Sequence, residues 1–153
     1  MERTLVLIKP DAIQRDLAGE IIKRLENKGL KLVGLKMIQL TDALLNEHYS
    51  HLRELKFFPE IKSFMSLTPV IACCWEGVDV VDTVRLLCGI TKAREAAPGT
   101  IRGEFAMSIQ ANLVHASDSV ETAEVEVKRF FQPNELFTYE DTLNPYIYSS
   151  SER

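Results

Sequence analysis

The sequence predicts an α+β fold, a sheet with helices packed on it, and three observations carry the prediction. Uninterrupted apolar runs of strand length stand at Thr4–Ile8 and Val70–Trp75. Around them lie segments whose apolar residues recur every three or four positions, the period of a helix with one buried stripe. The order is β-α-β, then helices, then β-α-β, which matches a ferredoxin-like sandwich with a four-stranded antiparallel sheet.

Thr4–Ile8, closed by Pro10, reads as a strand buried on both faces, with Lys9 emerging at its end. Leu17, Ile21, Ile22 and Leu25 follow at helical spacing, and Gly29 stands where a left-handed cap belongs. Val33, Leu35 and Met37 then alternate with Gly34, Lys36 and Ile38, a second strand with imperfect face selectivity. From Thr41 to Met65 the spacing of Leu44, Leu45, His48, Leu52, Ile61, Phe64 and Met65 predicts two or three short helices. After Val70–Trp75, the set Val80, Val81, Val84, Leu87 and Cys88 describes a helix ending at Gly89. Thr91 to Gly103 has no period and carries Pro98, Gly99 and Gly103, so it reads as a long loop, the kind of segment that holds ligand contacts. Ser108–Val114 reads as the last strand. Asp118 and Glu121 match a capping box for a helix with Val120, Ala123, Val127 and Phe130 on its buried stripe. From Gln132 onward the chain reads as irregular.

The 153 residues suit a single domain spanning residues 1–153, since a chain of that length removes roughly two-thirds of its unfolded surface from water without staples. A formal charge of -4 gives no bulk attraction to nucleic acid or anionic membranes, so any anion site must be local. Cys73, Cys74 and Cys88 form no even framework and no Cys-x-x-Cys spacing, which reads as buried free thiols in a reducing compartment. No segment is long enough to span a membrane, and the first apolar stretch is too short for a signal peptide. The expectation is a cytoplasmic protein.

Candidate chemistry gathers around His115, placed between the last strand and a helix N-terminus, where free N–H groups favour phosphate. Near neutral pH much of an unperturbed imidazole is free base, a nucleophile that needs no separate activating base. A lone histidine is also commonly structural. Glu126 lies on the flank of the following helix that leans back toward the N-terminus, to orient the ring or to stand as a solvated glutamate. Arg85 on its mostly apolar helix and Arg102 between glycines are candidates for a guanidinium clamp on phosphate, against the ordinary reading of surface and loop arginines. Lys9 is either a phosphate contact or a strand-end lysine. Tyr49, Phe57 and Phe58 are candidate core aromatics, with Phe57 nearest a surface edge where a base can stack.

Taken together these residues resemble the nucleoside diphosphate kinase family from Arg3-Thr4-Leu5 to about Tyr148. The block Asn112-Leu113-Val114-His115-Ala116-Ser117-Asp118-Ser119 is similar to the family's signature around its phosphorylated histidine. Thr4 through Arg15, Glu47-His48-Tyr49, Trp75-Glu76-Gly77 and Pro98 through Glu104 match in the same order. The sequence departs from the pattern where Ala12 and Ala116 replace glycines, Leu55-Lys56 replace Arg-Pro, Lys92-Ala93 replace Asn-Pro and Gln110-Ala111 replace Gly-Arg. No matched catalytic residue is lost, and the altered loop from Thr91 to Pro98 bears on subunit contacts and rigidity more than on chemistry.

The resemblance implies transfer of the γ-phosphate of a nucleoside triphosphate to a nucleoside diphosphate, by a ping-pong route through a phosphohistidine at His115. By the same resemblance Arg85, Thr91 and Arg102 would grip the phosphates, and Lys9 and Asn112 the ribose and phosphates. Tyr49, Ser117 and Glu126 would order the histidine's surroundings, and Phe57 and Ile109 would face the two sides of the base. Mg2+ would ride on the nucleotide, with Asp118 reaching it through water and no direct protein ligand. A homohexamer is expected, a tetramer being the other family arrangement. The rival reading is a non-catalytic nucleotide or single-stranded nucleic-acid binder whose sheet presents aromatics to bases. The acidic balance disfavours it, and a nucleic-acid partner is not expected.

Overall fold

In the computed structural model, which describes residues 1–153, the first apolar run is the strand β1 (Glu2–Ile8). There follow α1 (Pro10–Gln14), α2 (Ala18–Asn27), β2 (Lys31–Ile38), α3 (Asp42–His48), α4 (Phe58–Met65), β3 (Val70–Gly77), α5 (Val80–Cys88), α6 (Ile101–Phe105), β4 (Val114–Ala116), α7 (Val120–Phe130) and α8 (Asn144–Ile147). Single 3-10 turns stand at Ser50–Leu52, Ala93–Glu95 and Pro133–Glu135. The sheet runs β2-β3-β1-β4 with every neighbouring pair antiparallel, the ferredoxin-like α+β arrangement.

Alternation along β1 explains its uninterrupted apolar run. Val6 and Ile8 join Cys73, Trp75 and Val114 in one core, closed by Ile21 and Leu25 of α2 and Val80, Val81 and Val84 of α5. Leu5 and Leu7 face the other way, with Ala72 and Cys74, and meet Leu45 of α3, Met65 of α4 and Val127 and Phe130 of α7. Both faces of the central strands are therefore covered, and such strands read as continuous hydrophobic runs. The imperfect alternation in β2 has a local cause, a register shift between Leu32 and Gly34, and the far half of this edge strand leaves Leu35 and Met37 more than half exposed. Gly29 follows α2 at φ +98°, where a side chain would be strained, as the cap reading requires. All three cysteines are buried and free. No helix is long and apolar enough to cross a membrane.

Three expectations are corrected. The last strand is Val114–Ala116, so His115 is inside it, paired with Leu7 of β1, rather than after it. Residues before it turn instead: the Ser108 hydroxyl accepts from the N–H groups of Gln110 and Ala111, and Leu113 adopts φ +76°. The cap of α7 is Ser119, whose hydroxyl accepts from the Thr122 amide at 3.1 Å, while Asp118 stays exposed. The stretch read as a loop from Thr91 to Gly103 contains the turn at Ala93–Glu95 and the start of α6, capped by the Thr100 hydroxyl on the Gly103 amide. Neither piece is long enough to show a period. Gly103 is required there, because a Cβ would lie 2.0 Å from the Ala97 carbonyl oxygen. The short helices α1 and α8 escaped the periodicity reading for the same reason of length.

Candidate active site

The site is built around the end of β1 and the turn that feeds β4. Lys9 follows β1, and burial keeps its side chain from solvent while Nζ donates to the Gln110 carbonyl (2.5 Å) and to Asn112 Oδ1 (2.8 Å). Burial, with a smaller push from Arg102 and against the pull of Asp11, lowers its pKa to about 8. Asn112 completes the knot by donating from Nδ2 to the carbonyls of Thr91 (3.0 Å) and Ile109 (2.9 Å). Leu113 next to it holds a left-handed conformation that costs a β-carbon residue on the order of 1–3 kcal/mol. It is pinned from both sides, its N–H on Asp11 Oδ2 (3.0 Å) and its carbonyl accepting from the Lys9 amide (2.9 Å). This turn swings the chain so that Val114 points into the core and His115 to the opposite face.

There the His115 ring meets α7. Nε2 lies 2.8 Å from Glu126 Oε2 and 3.1 Å from Oε1, and Glu126 is only 4% exposed. A solvated glutamate is excluded. Burial opposes its charge, yet the hydrogen bond and charge of His115, the Ser117 hydroxyl and His48 hold its pKa down at about 2. An ionised carboxylate only accepts, so the proton of a neutral His115 sits on Nε2 and Nδ1 keeps its lone pair. Ser117 is fully buried behind this pair, its hydroxyl 3.4 Å from the Leu5 amide.

Lys9, Tyr49, Phe57, Arg85, Thr91, Arg102, Ile109, Asn112, His115 and Asp118 all line one open cavity of about 730 Å³, with Ser117 and Glu126 behind it. Phe57 stands half-exposed just before α4 and Ile109 is 63% exposed, two apolar groups at the rim. Phe58 is buried, as a core aromatic. Burial and the nearby Glu126 raise the Tyr49 phenol well above its ordinary range, so it stays a neutral donor. Arg85 is exposed on α5, and its guanidinium makes no hydrogen bond or ion pair.

Arg102 differs from the expected free clamp. It is 9% exposed in α6, and its guanidinium donates to the carbonyls of Asn112 (3.3 Å), Gly89 (2.8 Å) and Val114 (2.6 Å). Of five N–H donors, three tie the loops together and two remain for a ligand. Glu60, Ile61, Phe64 and Gln110 also line the cavity, and Lys9 Nζ lies 5.3 Å from the Phe64 ring centre. Sequence reasoning assigned none of these a role, because helical spacing marks Ile61 and Phe64 only as inward-facing.

His48, on α3, is a further residue that sequence reasoning left without a role. It is buried with its ring edge-to-face on His115 at 4.6 Å. His48, His115 and Glu126 bring potential metal-ligand atoms within 4.8 Å of one another. One nitrogen of each ring is already engaged, however, His115 Nε2 with Glu126 and His48 Nδ1 with the Arg129 guanidinium. The arrangement serves to hold an imidazole, with a neighbouring cation opposing a divalent one.

A ferredoxin-like sheet with a histidine nitrogen open to a cationic cavity, flanked by apolar groups suited to a base, defines the class of a nucleotide phosphotransferase. The nucleoside diphosphate kinase family profile matches residues 2–136, and the chain belongs to that family. It is 61% identical to a nucleoside diphosphate kinase of Parabacteroides distasonis over 92% of both chains. It is 49% identical to nucleoside diphosphate kinase A of Rattus norvegicus, over 96% of this chain and 97% of that one. Among solved structures, a halophilic nucleoside diphosphate kinase from Halobacterium salinarum in complex with CDP superposes with a TM-score of 0.94, at 42% identity, covering 97% of this chain and 99% of that one. The chain is thus a kinase of nucleotide metabolism.

Proposed function

We propose that the enzyme works in two half-reactions through a phosphohistidine on His115 Nδ1. The observation that carries this reading is the Nε2 contact with Glu126, which leaves Nδ1 as the free nitrogen of a ring lining the cavity. In the first half-reaction the Nδ1 lone pair forms a bond to the γ-phosphorus of a nucleoside triphosphate. The bond to the bridging oxygen breaks, and its electron pair leaves with the nucleoside diphosphate. Positive charge grows on the ring as this happens, and Glu126 offsets it through the Nε2–H bond, a charge-assisted interaction of the stronger kind. A second nucleoside diphosphate reverses the sequence.

Phosphoryl transfer depends mainly on positioning and charge stabilisation. In this reading Arg85 and the two uncommitted N–H groups of Arg102 bind phosphate oxygens, with Thr91 beside them. Lys9, charged below about pH 8, and Asn112 reach the ribose and phosphates. Phe57 and Ile109 cover the two faces of the base, while Tyr49 and Ser117 keep His115 and Glu126 in place. Asp118 is an exposed carboxylate at the cavity rim with no partner of its own, which suits contact with a hydrated Mg2+ held by the nucleotide's phosphates. That ion would supply charge to offset the phosphates.

The same proposal includes one catalytic domain over residues 1–153, cytoplasmic residence in keeping with three free buried thiols, and a homohexamer. The half-exposed apolar residues Leu35 and Met37 on the edge strand, and Phe137, Leu143 and Tyr146 near the C-terminus, favour an assembly over a monomer. The nucleic-acid rival needs an open sheet face, and helices cover both faces of the central strands. Incubation with magnesium ATP labelled on the γ-phosphate, without any acceptor, tests the reading. The expected label is acid-labile and alkali-stable and is discharged by any nucleoside diphosphate. Intact His115→Ala protein that still labels and transfers would overturn it.

A further inference from the structure

Glu126 has a second suitor. Arg129 follows it by three residues on α7, a spacing at which acidic and basic side chains on a helix normally pair. They do not pair here. Arg129 Nη1 instead donates to His48 Nδ1 at 3.0 Å, and that same nitrogen lies 3.4 Å from Glu126 Oε2. His48 stands between the cation and the carboxylate.

Arg129 is poorly satisfied where it is. Its buried Nε forms no hydrogen bond and has only a 3.3 Å ion pair with Glu47, whose side chain is exposed. The guanidinium therefore has reason to turn toward Glu126, and His48 is the group that stands between them. A bidentate Arg–carboxylate pair is stronger than its present bond to a neutral imidazole and its monodentate ion pair with the exposed Glu47. It would draw both Glu126 oxygens off the His115 ring and remove the acceptor that selects the Nε2–H tautomer.

Resting on the phosphohistidine reading above, we infer that His48 is a positioning residue: by taking up the Arg129 N–H it keeps Glu126 for His115, and so keeps His115 Nδ1 unprotonated. The ring is braced for this task, edge-on to Tyr49 at 4.8 Å, to Phe130 at 5.1 Å and to His115 itself. Its neutrality is secured too. Burial first, then the proximity of His115, Arg129 and His51, against the pull of Glu126, lowers its pKa to about 3. A neutral imidazole offers Arg129 an acceptor without adding a charge beside His115. A lysine or carboxylate at position 48 would pair with Glu126 or Arg129 outright.

The test compares His48→Phe, His48→Gln and the double variant H48F/R129M with the wild type. His48→Phe keeps a ring but removes the acceptor, His48→Gln keeps an acceptor, and Arg129→Met removes the competitor. Two quantities are read: the single-turnover rate of His115 labelling by magnesium ATP, and the His115 tautomer from 15N NMR without nucleotide. His48→Phe is expected to slow labelling roughly 10- to 100-fold, the range lost when a group orienting a working imidazole is removed, with the KM for nucleotide unchanged. Its His115 proton should no longer reside on Nε2 alone. His48→Gln should stay close to the wild type, and H48F/R129M should recover rate and tautomer together. A merely space-filling His48 gives no such rescue. Wild-type rate and tautomer in His48→Phe, or a double variant as slow as the single one, would overturn the inference. Should His48→Phe not fold, His48→Leu carries the same comparison. Absence of any label on wild-type His115 would instead refute the phosphohistidine reading, while the NMR arm still decides the role of His48.

Discussion

Replacing Glu126 by glutamine exchanges a charged acceptor for a neutral one at nearly constant volume. Both carboxylate oxygens now approach a single nitrogen, His115 Nε2, at 2.8 and 3.1 Å, so the amide oxygen can retain one contact. A hydrogen bond to a charged group contributes about 1.5–3 kcal/mol and a neutral one about 0.5–1.5. The difference of roughly 1–1.5 kcal/mol corresponds to about a tenfold slower phosphorylation of His115. The substitution also leaves a mark on stability. Because the folded carboxyl titrates at about 2 against an ordinary 4.5, its ionised form stabilises the fold above pH 4.5, and that stability is lost as the pH falls through about 2. At about 1.4 kcal/mol per unit the contribution is at most on the order of 3 kcal/mol. Urea unfolding of both proteins from pH 7 to pH 2.5, with quenched-flow labelling at pH 7, measures both effects. The wild type should lose more stability than Glu126→Gln across the acid range. Parallel acid profiles together with equal labelling rates would refute the argument that an ionised Glu126 holds the ring.

Arg102→Ala should slow turnover roughly 10²- to 10³-fold as a charge stabiliser is lost, and hydrogen exchange should speed up at the Gly89 and 112–114 segments that its guanidinium ties down; a slower enzyme with unchanged exchange would separate the two roles. Because Lys9 titrates at about 8, the KM for nucleotide should rise as the pH passes from 7 to 9 while the lysine loses its charge, and Lys9→Arg, checked by steady-state kinetics, should flatten that rise. Light scattering at micromolar concentration should give a hexamer; a tetramer would correct the number and a monomer would remove the proposal.

The elements that periodicity marked are those whose environment is uniform along their length. Strands β1 and β3 are covered on both faces and helices α2, α5 and α7 on one, so their patterns of burial were written into consecutive residues. The matched blocks around His115 pointed to the family to which the chain belongs, and the residues that the resemblance named lie beside or behind one cavity. What the sequence left open are contacts that cross elements. Glu126 is 11 residues from His115, and spacing alone allowed either a solvated side chain or an orienting one; the packing of α7 against β1 chose the second. Arg102 read as a loop clamp, yet three carbonyls from distant turns converge on it. His48 is 81 residues from Arg129 and was marked only as inward-facing. Period and propensity are properties of neighbours along the chain, whereas the protonation and orientation of His115 depend on charges and acceptors brought together by packing, and only the tertiary structure decides those.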